Sequence, residues 1–94
     1  MSNQTLASLE PIVGGWSEFQ KLTVEDLLVF NKALEGYVGV KYTPTKVAIQ
    51  IVAGTNYRFR CTASVPPYDD AYESVVKIIK PLEGDPYVVK ITRI

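Results

Sequence analysis

The sequence predicts a two-layer α+β domain in which one helix packs across an antiparallel sheet of four to five strands. Apolar residues recur at helical spacing within residues 23–38, whereas beyond residue 45 they alternate with polar ones in several short runs. Turn residues separate those runs, as in a meander of antiparallel strands. Because the helix and the sheet each have one apolar face, we expect each face to bury the other.

The composition indicates one small globular domain that is not an enzyme. The chain has 94 residues, 47% of them hydrophobic, and its ten basic side chains balance its ten acidic ones. Zero net charge argues against binding to nucleic acid or to an anionic membrane. Histidine is absent from the sequence, which removes the most frequent general base and the commonest metal ligand. We therefore expect no catalytic residues, no metal site and no cofactor.

The N-terminal sequence predicts a flexible tail over residues 1–11, followed by one domain over residues 12–94. It lacks the basic and apolar regions of a signal peptide, and no run approaches the ~18 apolar residues of a membrane helix. The single cysteine, Cys61, cannot form an internal disulfide and suits a reducing compartment. We expect a soluble, cytoplasmic protein, or a secreted one if a signal peptide has been removed.

Residues 12–16, Ile-Val-Gly-Gly-Trp, allow two interpretations. Two β-branched residues before a double glycine favour an extended segment joined flexibly to the domain. Alternatively, the segment is a first strand with a glycine bulge, and Trp16 anchors it to the core.

One helix is predicted to begin after Thr23 and to end between residues 35 and 38. Thr23 is a good N-cap, and Asp26 stands where a capping box needs an acid. The expected apolar stripe consists of Leu27, Phe30, Leu34 and Tyr37 or Val38.

Four strands are predicted over residues 45–51, 56–64, 73–80 and 87–94. Their alternation predicts which side chains face the helix; these are Val47, Ile49, Ile51, Tyr57, Phe59, Cys61, Ala63, Val76, Ile78, Val89 and Ile91. Cys61 is thus predicted to be an inert, buried thiol.

The first predicted hairpin has an uncharged tip, Val52-Ala53-Gly54. Hairpin tips face water and are normally polar, so an apolar tip suggests a binding surface. In a four-stranded meander the first and third hairpins lie at the same end, and the segment after Gly14 can also reach it. We therefore expect three weakly charged elements to converge on one edge of the sheet.

The order of these elements resembles the cystatin superfamily, whose members inhibit papain-like cysteine proteases. The resemblance covers most of residues 12–94 and is carried by apolar residues before a glycine, one amphipathic helix, and a Q-x-V-x-G motif at residues 50–54 that continues as Thr55-Asn56-Tyr57. With one cysteine and no disulfide, the chain is more similar to the stefin-type members than to the secreted ones.

The resemblance implies a cystatin-like fold that inserts a three-part wedge into the protease cleft, reversibly and without a covalent bond. Gly14 would be the N-terminal glycine, and its two apolar neighbours would fill non-primed substrate pockets. The implied protease-binding residues are Ile12, Val13, Gly14, Gln50, Ile51, Val52, Ala53, Gly54, Pro81, Leu82, Glu83 and Gly84.

A second interpretation is a non-inhibitory, protein-binding module on the same fold, because a fold can persist when its loops change use. Glu83 in the second loop and the short spacing from Gly14 to Gln50 favour it. The expected partners are cathepsin-like cysteine proteases under the first interpretation. We expect a monomer, with strand exchange around the hairpin as a route to a domain-swapped dimer.

Overall fold

A computed structural model describes residues 15–67 and 70–94. Helix α1 (Val24–Ala33) precedes strands β1 (Lys41–Val52), β2 (Gly54–Ser64), β3 (Ala71–Lys80) and β4 (Tyr87–Arg93). The strands form an antiparallel sheet in the order β1-β2-β3-β4, and α1 packs against one face. This arrangement confirms the predicted meander and is consistent with a cystatin-like α+β fold. The predicted tail, residues 1–11, lies outside the described residues.

Helix α1 begins as its sequence predicts. Thr23 Oγ1 accepts a hydrogen bond from the Asp26 backbone N–H at 3.1 Å, and Asp26 Oδ2 accepts one from the Thr23 N–H at 2.9 Å. This reciprocal pair is a capping box and satisfies two backbone donors that the helix leaves unpaired. Within the described part of the chain, no helix has the length and apolarity needed to cross a bilayer.

The helix ends at Ala33, earlier than predicted. Leu34 is the C-cap, and Gly36 follows with φ +86°, a conformation that stops a right-handed helix. Tyr37 and Val38 therefore lie beyond the helix, where they are 51% and 90% exposed. Their predicted place in the apolar stripe was wrong.

The buried face of α1 is centred on Phe30 and Ala33, with Val29 and Leu34 packed beside them. Phe30 meets Phe59 of β2 edge to face, with ring centroids 4.9 Å apart. Leu27 is 37% exposed and lies at the border of this face instead of within it.

The sheet face under α1 follows the predicted alternation in its central strands. Tyr57, Phe59, Cys61 and Ala63 of β2 are buried, as are Val47 of β1 and Val76 and Ile78 of β3. Ile49 is partly buried against the same cluster.

Strand β4 departs from simple alternation because it contains a bulge. Lys77 pairs with Lys90, but the next residue of β3, Ile78, pairs with Val88, which leaves Val89 without a directly opposite residue. Val88 and Ile91 pack against the core, whereas Val89 is 48% exposed. The prediction of an inward Val89 was wrong by this one-residue shift.

Strand β1 begins at Lys41, four residues earlier than predicted. It accommodates Pro44 because the ladder to β2 shifts register between Pro44 and Lys46, and proline is tolerated at such a bulge. The described part of the N-terminal segment pairs with β1 at two isolated bridges, of Trp16 with Gln50 and of Gln20 with Val47. Among residues 15–67 and 70–94 the sheet has four strands, and the described part of this segment is not a fifth.

Candidate functional site

The first hairpin turns at Ala53, with Val52 and Gly54 paired on either side of it. Gln50 lies opposite Asn56, whose Nδ2 donates a hydrogen bond to Gln50 Oε1 at 2.8 Å. This side-chain bond links the two strands just behind the turn. Ala53 is exposed and Val52 is 44% exposed, so the apolar tip faces solvent.

Gly54 joins the first hairpin to the second loop. Its φ is +101°, and a Cβ built on it would lie 2.5 Å from the Lys80 carbonyl oxygen and 3.1 Å from both the Leu82 nitrogen and the Pro81 Cα. The two backbones therefore touch, with no room for a side chain between them. The neighbouring pair, Thr55 with Lys80, places β2 and β3 in the register that produces this contact.

The second loop, between β3 and β4, presents one large apolar side chain. Leu82 is 75% exposed, Glu83 beside it is also exposed, and Pro81 is partly buried. Gly84 closes the turn with φ +112°. Val52, Ala53 and Leu82 thus lie on two touching loops at one end of the sheet, as the meander predicts.

The described N-terminal segment runs along β1 towards the same end. The Ser17 N–H donates to the Ile49 carbonyl at 2.8 Å, and the Ile49 N–H donates to Ser17 Oγ at 2.9 Å. From the bridge at Gln20 to that at Trp16, the partner on β1 advances from Val47 to Gln50. The described chain therefore starts, at Gly15, near the hairpin tip. The predicted contact residues Ile12, Val13 and Gly14 lie outside the described residues.

Trp16 is held by the sheet face opposite α1. Its ring covers the Arg58 guanidinium at 3.9 Å and lies 5.9 Å from Lys77 Nζ. Arg58 stands between the inward residues Tyr57 and Phe59, so it points away from the helix. Trp16 is an anchor, as one interpretation expected, but to the outer sheet surface and not to the core.

Sequence reasoning missed two side-chain contacts beside this edge, that of Arg58 with Trp16 and that of Asn56 with Gln50. The one sequence signal for Arg58 was the alternating pattern of β2, which places its side chain on the outward face. Its contact with Trp16 spans 42 positions of the chain (58 − 16), and nothing in the local pattern links the two residues.

The thiol of Cys61 is not part of this edge. Cys61 is fully buried beneath α1 and lies opposite Pro44, far along β2 from Gly54. Burial, with a smaller contribution from the charge of Glu73, raises the pKa of this thiol to about 12. It is therefore neutral and shielded at ordinary pH, which confirms the predicted buried thiol.

Comparisons of the chain with protein-family models, with curated proteins and with solved structures gave no match.

Proposed function

We propose that this protein is a reversible, tight-binding, competitive inhibitor of papain-like cysteine proteases. The observation that carries the proposal is the backbone contact of Gly54 with Lys80 and Leu82. This contact makes one continuous edge from two loops that are far apart in sequence. The Q-x-V-x-G motif, continued as Thr-Asn-Tyr, lies at the centre of that edge.

The chemistry of the edge suits insertion into a narrow cleft. Val52, Ala53 and Leu82 are apolar, so their transfer from water into a protease cleft is favourable. Both loops are fixed by strand pairing and by their mutual contact, so little conformational entropy is lost on binding. The edge supplies shape and apolar area and needs no catalytic group of its own.

The N-terminal part of the proposed wedge is supported by the position of Trp16. Its bridge to Gln50 and its stack on Arg58 hold the chain beside the first hairpin. In the proposal, Ile12, Val13 and Gly14 continue from that anchor and contact the non-primed side of the cleft. They act as a third arm beside the two loops.

Single charge insertions at exposed positions test the proposal without disturbing the core. Val52→Glu and Leu82→Glu each place a carboxylate where the wedge would enter the cleft, and burial of an unpaired charge is strongly unfavourable. We expect each to raise the inhibition constant against papain by roughly 30-fold or more. Val38→Glu is the matched control, because Val38 is 90% exposed and precedes the opposite end of β1.

Unchanged inhibition in both Val52→Glu and Leu82→Glu would show that the edge does not enter the cleft. Equal weakening by Val38→Glu would point to a general effect of added negative charge. Circular dichroism and thermal melting of the three variants establish that each is folded before the constants are compared.

A second candidate, a non-inhibitory protein-binding module, is favoured by the exposed Glu83 beside Leu82. A carboxylate at an apolar edge suits a partner that presents a basic group there. Under this alternative, the wild-type protein fails to inhibit papain, and Glu83→Leu gains inhibition because the edge becomes uniformly apolar. Strong inhibition by wild type would reject it.

A further inference from the structure

The sheet face opposite α1 carries a row of three cations on adjacent strands. Strand pairing places Arg58 opposite Lys77, and Lys77 opposite Lys90. Arg58 and Lys77 each stand between two core residues, and Lys90 precedes Ile91, which packs against the core, so all three point away from α1. Neighbouring strands are about 4.8 Å apart, so the row spans about 10 Å. We call Arg58, Lys77 and Lys90 the cationic row.

Further cations surround the row on the same face. The outward strand positions also include Lys41, Lys46 and Arg60, while Glu73 is the acid among them. Arg60 Nε donates to Glu73 Oε1 at 3.2 Å, so that one negative charge is shared with Arg60. The chain has no net charge, but its fold concentrates positive charge on this face.

The arrangement is unfavourable for the isolated fold. Like charges directly opposite one another on adjacent strands destabilise a sheet, and the row contains two such pairs in succession, Arg58 with Lys77 and Lys77 with Lys90. The ring of Trp16 offsets part of this repulsion by attracting Arg58 and Lys77. Lys90 is exposed at the far end of the row. A surface that retains such repulsion is suited to a ligand that supplies the missing negative charge.

We propose that the cationic row binds an extended, acidic polypeptide segment of a partner protein. Alternate side chains of an extended chain lie about 7 Å apart on one side, so two carboxylates two residues apart fit within the row of about 10 Å and can each reach one of its cations. Tyr87 and Val89, which precede Lys90 on β4, are 51% and 48% exposed. A polypeptide can cover these apolar side chains as it pairs with the cations, whereas a nucleic-acid backbone offers them only phosphate and sugar.

This surface shares Arg58, through its stack on Trp16, with the anchor of the proposed inhibitory edge, but it faces a different direction. The cationic row lies on the broad face of the sheet, whereas Val52, Ala53 and Leu82 lie at its hairpin end. A partner on the row could therefore be held while the edge is occupied. The inference stands or falls separately from protease inhibition.

Titration with poly-L-glutamate at low ionic strength tests the inference. Trp16 is the single tryptophan of the chain and stacks on the first cation of the row, so its fluorescence reports binding directly. We expect saturable binding that weakens as salt is added, because screening reduces the attraction between opposite charges. In Lys77→Gln/Lys90→Gln the dissociation constant should rise by about fivefold or more.

The control variant Lys21→Gln/Lys32→Gln removes the same charge from positions outside the row, and its dissociation constant should stay close to that of wild type. Lys77→Gln/Lys90→Gln should also melt at a higher temperature than wild type, since it removes like-charge pairs. A higher melting temperature together with weaker binding shows that the loss of affinity is not a loss of fold.

Three results would overturn the inference. The first is absence of saturable binding at low ionic strength. The second is equal weakening in the two double variants, which would show a response to total charge alone. The third is tighter binding of duplex DNA or of phosphatidylserine vesicles than of poly-L-glutamate at equal charge concentration, which would assign the row to a different class of partner.

Discussion

Gly54→Ala tests the contact that unites the two loops. Gly54 has φ +101°, and a Cβ there would lie 2.5 Å from the Lys80 carbonyl oxygen. Gly39 has a similar φ of +96°, with nothing within 4 Å of the Cβ position. The same substitution at the two sites therefore adds similar backbone strain, but only at Gly54 does it add a collision with another loop.

The expected energies follow from these two effects. A non-glycine residue forced to positive φ costs about 1–2 kcal/mol, which applies at both sites. At Gly54 the Lys80–Leu82 backbone must also move by nearly 1 Å to restore ordinary contact, and overpacking of this kind adds about 1–3 kcal/mol. We expect losses of about 2–5 kcal/mol for Gly54→Ala and about 1–2 kcal/mol for Gly39→Ala.

Urea unfolding of the three proteins measures the free energies directly, and thermal melting provides a second readout. For a domain of this size, each 1 kcal/mol corresponds to about 4–8 °C in melting temperature. Equal losses at Gly54 and Gly39 would refute the reasoning, because they would mean that the two loops do not meet at Gly54.

Three further predictions concern groups away from that contact. Trp16→Ala removes the stack on Arg58 and should increase the rate of dissociation from papain with little change in the rate of association. If surface plasmon resonance shows an unchanged dissociation rate, Trp16 does not support the proposed wedge. Ser74 is fully buried, and among the described residues no hydrogen-bond partner is found for its hydroxyl. Ser74→Ala should therefore leave the free energy of unfolding unchanged or raise it by about 1 kcal/mol. A decrease of more than about 1 kcal/mol in the free energy from urea unfolding would contradict this prediction. Burial raises the pKa of the Cys61 thiol from 9.0 to about 12. The stability that comes from burying the neutral thiol is therefore complete below pH 9 and is lost as the pH rises from 9 to 12. Cys61→Ala should flatten the decline of unfolding free energy across that window, and parallel curves for the two proteins would show that the thiol does not titrate as described.

The central sheet was predictable from sequence because each residue there obeys one local rule. Tyr57, Phe59, Cys61 and Ala63 alternate strictly, and the structure buries all four. Thr23 and Asp26 likewise form the capping box that their spacing predicts. In both cases the pattern and the structure are set within a few residues.

The predictions from sequence failed where contacts between distant parts of the chain decide which way a side chain points. Val89 is turned outward by a bulge that depends on how β3 and β4 align, and no periodicity in β4 alone reveals it. Trp16 packs on Arg58 because the N-terminal segment pairs with β1 and its Trp16 ring lies over the outer face of the sheet. The convergence of the loops followed from strand order, but no local sequence pattern indicates the backbone contact at Gly54.

The candidate site was predicted in part. Gln50 to Gly54 and Pro81 to Gly84 do meet at one end of the sheet, through Gly54. Ile12, Val13 and Gly14 remain a prediction, supported by the direction of the chain at Trp16. Truncation of residues 1–13 removes Ile12 and Val13 and should weaken inhibition mainly through faster dissociation.

The most direct test of the central claim is the steady-state inhibition of papain by the wild-type protein over a range of substrate concentrations. The proposal predicts reversible inhibition at one-to-one stoichiometry, with an apparent Michaelis constant that rises with inhibitor and a maximal rate that does not change. Full papain activity in the presence of tens of micromolar folded protein would contradict it.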